Sequence, residues 1–127
     1  MTDIAPQNTA ERLAAMLNMK LFIGLRDLRD PEKLEALLPS HLDWMVDAER
    51  DGVLFASGPF VAEGMAPGHA GGLSIVRADS KEKAEAILAQ DPFIKQGVFG
   101  CEVREWRLME GGFSVTVHFS DQRAALS

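Results

Sequence analysis

An α+β fold, with helices packed on one face of an antiparallel sheet, is what this sequence predicts, and three observations predict it. Apolar runs alternate with helix-start signals in the order strand, helix, strand, strand, helix, strand, strand. Turn chemistry punctuates the runs at Asp51-Gly52, Gly58-Pro59, Asp91-Pro92 and Gly111-Gly112. The chain has 127 residues, 46% hydrophobic and 25% charged, the balance of one globular domain whose core needs no staple.

Residues 1–18 read as an appendage to a single domain spanning 19–127. Asp3 to Thr9 is polar and contains Pro6, and Thr9 is the expected N-cap of a short helix running to Leu17. The stripe Leu13, Met16, Leu17 is too short to hold that helix without docking. Lys20 to Leu25 is an apolar strand. Asp30-Pro31-Glu32 starts a helix, with Asp as cap and Pro at the first helical position. Pro39 is expected to break that helix after 32–38, with a fresh start at Ser40 supported by Asp43 three residues on. Asp51-Gly52 closes it. Val53 to Ser57 is a strand stopped by Gly58-Pro59, and the glycines and proline of 63–71 make a loop. Gly72 to Ala78 is a third strand, and Asp79 or Ser80 caps a helix over 81–90 with stripe Ala84, Ile87, Leu88. Asp91-Pro92 ends it, because the residue before proline is pushed out of the helical region. Val98 to Leu108 is the fourth strand. After Gly111-Gly112, Phe113, Val115, Val117 and Phe119 alternate with Ser114, Thr116 and His118, the pattern of a half-buried strand.

This order is the ferredoxin-like βαββαβ arrangement with an extra C-terminal strand. Two helices cover one face of such a sheet, yet Leu21 and Phe22, Leu54 and Phe55, Ile75 and Val76 are apolar at both parities. The second face is therefore expected to be buried in a homodimer.

Several function classes are excluded. The net charge is −6, and clustered Lys and Arg for phosphate contacts are absent, so nucleic acid is not an expected partner. One cysteine makes no internal disulfide, and no Cys/His cluster has zinc spacing, so no metal is expected. Gly71-Gly72 and Gly111-Gly112 match neither dinucleotide nor P-loop spacing and read as turns, so no cofactor is expected either. No apolar run approaches the roughly 18 residues of a membrane span, and the start lacks the pattern of a secretory signal. The expectation is a cytoplasmic domain whose partner is a small molecule.

Pro39-Ser40-His41-Leu42, Asp51-Gly52-Val53-Leu54, Ser57-Gly58-Pro59, Ser80, Asp91-Pro92-Phe93 with Gly97, and Trp106 occur in an order and spacing that resembles the YciI-like (YCII-related) family over about residues 19–108. The resemblance implies a dimeric α/β-barrel architecture built on the ferredoxin-like fold. It also implies a pocket in which a histidine and an aspartate, here His41 and Asp91, are the catalytic groups. Family members with an assigned reaction act on small cyclic or chlorinated aromatic breakdown products, and muconolactone isomerases share the architecture. The appendage and the strand after Gly112 lie outside the shared part, so that strand either edges its own sheet or crosses to a partner.

The residues support a specific chemistry. At a helix start His41 would face the positive end of the helix dipole, which favours the neutral imidazole a general base needs. Helical steps from His41 lead to Trp44, Met45 and Ala48, placing it at the rim of an apolar stripe with an indole beside it. Asp91 is positioned to orient the ring as a base-holding carboxylate does. Ser57 and Gly58 would meet a ligand, Phe93 would line the pocket, and Arg26 would hold an acidic substrate. Each also has a plainer explanation: a capped histidine, a backbone-driven Asp-Pro stop, a strand-ending turn, a core phenylalanine, a solvated arginine. His69 in the glycine-rich loop has no defined role, His118 shares a solvated face with Ser114 and Thr116, and Cys101 reads as an inert strand cysteine.

Two function classes follow. One is a small acid/base enzyme, isomerase or lyase in type, with His41 moving a proton and Asp91 holding the ring. The other is a metabolite-binding or accessory dimer of the same fold. A quinol monooxygenase of this architecture is a third option, marked by oxygen-dependent turnover.

Overall fold

The structure, a computed structural model, describes residues 8–127, so most of the polar lead from Asp3 lies outside the described residues. In chain order the elements are α1 (Thr9–Ala15), β1 (Met19–Leu28), a 3-10 turn (Pro31–Lys33), α2 (Leu34–Arg50), β2 (Leu54–Pro59), β3 (Gly72–Val76), α3 (Lys81–Leu88), α4 (Pro92–Lys95), β4 (Phe99–Leu108), β5 (Val115–His118) and β6 (Arg123–Leu126). They form two compact units: Lys20–Arg107, and the two ends of the chain. Among the described residues no helix is long and apolar enough to cross a membrane.

The main sheet runs β2-β3-β1-β4, the ferredoxin-like order expected from the sequence. In the antiparallel β1–β3 pair, Phe22 lies opposite Val76, Gly24 opposite Ser74 and Arg26 opposite Gly72. Side chains two apart share a face. Phe22, Val76 and Leu54 accordingly form one buried cluster with Met45 and Ala48 of α2 and Ala84 and Leu88 of α3. Further along the same face the side chains shrink: Gly24 leaves room for Leu88, and Ser74 bonds Ser57 across the strands at 3.1 Å. A second cluster of Phe93, Val98 and Phe99, with Leu28, Leu34 and Leu37 against it, closes that end.

Helix α2 is continuous through Pro39, so the expected break and the restart at Ser40 do not occur. Proline removes one backbone donor, at a cost of about 3 kcal/mol in a helix interior. Pro39 and Glu35, whose carbonyl loses that donor, are both exposed, so the carbonyl meets water, and the apolar stripe offsets the rest. The helix ends as expected: Gly52, at φ 76°, donates to the Glu49 carbonyl and Val53 to that of Ala48, the paired bonds of a Schellman motif.

Three further expectations are corrected. Gly58-Pro59 does not stop β2 but forms its last two residues, which an edge strand permits for a proline. The N-cap of α1 is Asn8, whose side chain accepts from the Glu11 N–H at 2.8 Å, and not Thr9. The strand after Gly112 pairs with β6, a strand the periodicity did not reveal, in a separate two-stranded sheet. Phe113, Val115, Val117 and Phe119 are all exposed there, so the strand is not half-buried within this chain.

Candidate active site

Between α2 and the β2 side of the sheet lies a cavity of about 440 Å³, within the range of small-ligand sites. One wall is a row of α2 side chains four residues apart, Leu34, Leu38, Leu42 and Val46. Opposite it, Leu54 and Phe55 of β2 stand beside the small residues Ser57, Gly58, Gly68 and Gly71, and these small residues leave the space that the cavity occupies.

His41 stands on the cavity wall from the middle of α2, seven residues after its first, on the buried stripe His41, Met45, Ala48. It is therefore not at a helix start, and the dipole argument for its protonation state falls away with the break at Pro39. What fixes the ring is local. Nδ1 lies 2.7 Å from Asp91 Oδ1, and the ring stacks on Phe93 with centroids 4.1 Å apart and planes 16° from parallel. An ionised carboxylate only accepts, so Nδ1 is the donor and Nε2 keeps its lone pair in the neutral ring.

Asp91 is fully buried, and its setting differs from the expected one. It does not close α3, which ends at Leu88, but caps α4, where its Oδ1 accepts from the Phe93 N–H at 3.0 Å. Its carboxylate thus lies at the favourable end of a helical turn, and Pro92 occupies the first helical position. The Asp-Pro pair is the start of α4 and not the stop of α3.

Arg26 joins them from β1, 8% exposed, with Nη1 3.9 Å from Asp91 Oδ2 and Nη2 donating to the Gly58 carbonyl at 3.3 Å. Burial pulls its pKa below the ordinary guanidinium value, and the Asp91 carboxylate opposes that pull. Its cross-strand neighbour is Gly72, where a Cβ would fall onto the guanidinium. The neighbouring Gly71, at φ 86°, has no room for a Cβ against the Arg26 carbonyl. The glycine pair taken for a turn is what lets a buried arginine lie against the strand; a glycine on a strand, where backbone or charge comes close, was the available signal. Gly71→Ala is expected to destabilise by about 1–3 kcal/mol, read from the urea midpoint, because the obstacle is backbone and the conformation is left-handed.

The structure brings His41, Asp91, Phe93, Arg26, Ser57 and Gly58 to one end of the sheet. Of these, Asp91 lies behind the cavity wall and the other five line it. Trp44 is not among the lining residues; it packs against the main core cluster, because His41 and not Trp44 lies on the stripe with Met45. Sequence reasoning missed Leu38, Leu42 and Val46, which a helix cut at Pro39 no longer shows as one row.

Cys101 on β4 is half-buried, and burial pushes its thiol up to about 11, with Arg26 pulling the other way. The folded chain therefore holds this proton more tightly than the unfolded chain, where the thiol titrates near its ordinary 9.0. The associated stability is present below that pH and is lost as pH rises to about 11. Thiol labelling at pH 8 should be slow until urea unfolds the chain, and Cys101→Ala should flatten the alkaline fall in stability.

A family model of the YCII-related domain matches residues 9–107. The chain belongs to that family. No curated protein matches this YCII-related chain. Among solved structures it is similar to 5-chloro-2-hydroxyhydroquinone dehydrochlorinase (TftG) from Burkholderia phenoliruptrix AC1100, determined in complex with 2,5-dihydroxybenzoquinone. The two are 25% identical with a TM-score of 0.54, and the likeness covers 68% of this chain and 92% of the other.

Proposed function

We propose that this YCII-related chain is an acid/base enzyme acting on a small cyclic or aromatic-derived metabolite in an isomerase- or lyase-type step. The observation that carries the reading is the His41–Asp91 hydrogen bond of 2.7 Å, with Asp91 buried and His41 on the wall of the cavity. In this reading Nε2 accepts a proton from a carbon or hydroxyl next to a carbonyl. The electron pair left behind enters the ring system as an enolate. It then either expels a leaving group such as halide, or is reprotonated at another carbon to give the isomer. Asp91 keeps Nδ1 protonated and compensates the imidazolium formed meanwhile; Phe93 holds the ring plane. One such residue typically contributes about 10²–10⁴-fold. The dehydrochlorinase likeness supports chemistry of this type on a hydroxylated ring.

The homodimer belongs to the same proposal. On the sheet face opposite α2 and α3, Ile23 pairs with Ile75 and Leu25 with Leu73; Ile75 is buried and the other three are half-buried, an apolar strip that a second copy would finish covering. Light scattering of the full chain should give twice the mass of one chain, and Ile23→Glu should return it to one. A cytoplasmic setting fits the single free thiol, Cys101.

The cavity wall is mostly apolar, which also suits a metabolite-binding protein. Halogenated hydroxyquinols and enolisable lactones, incubated with the wild type and with His41→Gln, separate the readings. Turnover that depends on His41 supports the enzyme; a ligand that binds and returns unchanged from every incubation supports the binding protein.

A further inference from the structure

We propose that Arg26 is the anion-binding residue of the cavity, and that the ligand presents to it an anionic oxygen, a phenolate, enolate or carboxylate, beside His41. The inference rests on the reading that this cavity is where a small molecule is taken up, and it adds the charge class of that molecule.

Among the described residues, Nε and Nη1 of Arg26 are buried without a hydrogen-bond partner, as is Oδ2 of Asp91. Buried donors without partners are uncommon, and charged ones are costly. The direct ion pair does not remove that cost, because Nη1 and Oδ2 stand 3.9 Å apart, beyond hydrogen-bond length. Gly72 leaves the guanidinium its space, the Gly58 carbonyl holds one of its nitrogens, and the Phe99 ring lies 6.0 Å from Cζ. The side chain is fixed in place with donors to spare.

The rest of the wall narrows the ligand. Its polar side chains are Arg26, His41, Glu49 and Ser57, and of these only Arg26 and His41 are buried. Glu49 is exposed and its carboxylate opposes an anion nearby, so the oxygen belongs at the Arg26 end. A guanidinium offers donors and no acceptor, which selects a ligand oxygen carrying negative charge. Such an oxygen beside His41 also suits the proposed proton transfer, since a cation next to a developing enolate stabilises it.

The test measures binding and needs no turnover. The probes are 2,5-dihydroxybenzoquinone, an anion at neutral pH, and its uncharged dimethyl ether, followed by calorimetry with the wild type, Arg26→Gln, Arg26→Lys, Gly72→Ala and His41→Gln. The wild type should bind the anion at least about tenfold more tightly than the ether. Arg26→Gln should weaken the anion by about ten- to a hundredfold and leave the ether unchanged. Arg26→Lys keeps the charge, so it guards against a fold that fails without it, and should retain part of the preference. Gly72→Ala displaces the guanidinium and should lose it. Equal binding of anion and ether, an anion affinity indifferent to Arg26, or no anion binding by the wild type would each overturn the inference. His41→Gln should keep the preference for the anion. Loss of that preference alone, with His41-dependent turnover intact, refutes the Arg26 role and spares the enzyme; the reverse result refutes the enzyme and spares Arg26.

Discussion

His41→Gln lowers kcat/KM by roughly 10²–10⁴-fold on any substrate the enzyme turns over, and leaves the fold intact. Glutamine has a similar reach and its amide N–H can still donate to Asp91 Oδ1, the acceptor now 2.7 Å from Nδ1, but it takes up no proton. The variant should therefore unfold within about 1.5 kcal/mol of the wild type, the net worth of an ordinary hydrogen bond. Activity within threefold of the wild type would mean that the proton moves through another group.

Asp91→Ala acts on the fold as well as the chemistry, and its expected cost is about 3–5 kcal/mol. The fully buried carboxylate accepts from His41 and from the Phe93 N–H, and among the described residues it is the one acid ion-paired with the buried Arg26. Its removal leaves two donors without an acceptor, a cation without its counter-charge, and α4 without its cap. Asp91→Asn separates the effects. The amide oxygen still caps Phe93 and still faces Nδ1, so the part of the stability that comes from those two bonds returns, while the buried Arg26 still lacks its counter-charge. The negative charge that compensates an imidazolium does not return, so kcat stays low. Equal urea midpoints for Asp91→Ala and the wild type would show that Asp91 is not the keystone of this cluster.

Both variants act on residues that were legible in the sequence, for reasons that were only partly right. The element order and turn chemistry carried the ferredoxin-like sheet, because strand periodicity and Gly/Pro punctuation are local properties. Pro39 misled because its cost is local while its compensation is tertiary: the helix buries His41, Met45 and Ala48 on one face, and the freed carbonyl lies on the wet side. That single break moved His41 from the middle of a helix to its start and supplied a dipole argument the structure does not contain. Asp91-Pro92 misled in the opposite way, since α3 has already ended at Leu88 and the dipeptide begins the four-residue α4. Arg26 and Gly72 are 46 positions apart and meet only through the β1–β3 register, so nothing local to either announces the other. The β5–β6 sheet escaped notice because β6, Arg123–Leu126, is four residues long and has no alternation to read.

The central claim is that Asp91 fixes His41 with its proton on Nδ1, so that Nε2 is the nitrogen available to a ligand. Long-range proton–nitrogen correlation NMR of the imidazole rings reads this directly, without a substrate. The chain has three histidines, and His41→Gln assigns the one that matters. The expected result is that the neutral form of the wild-type His41 ring carries its proton on Nδ1, and that this single tautomer is lost in Asp91→Ala. A wild-type ring carrying its proton on Nε2 would contradict it, because the nitrogen required as base would already be a donor.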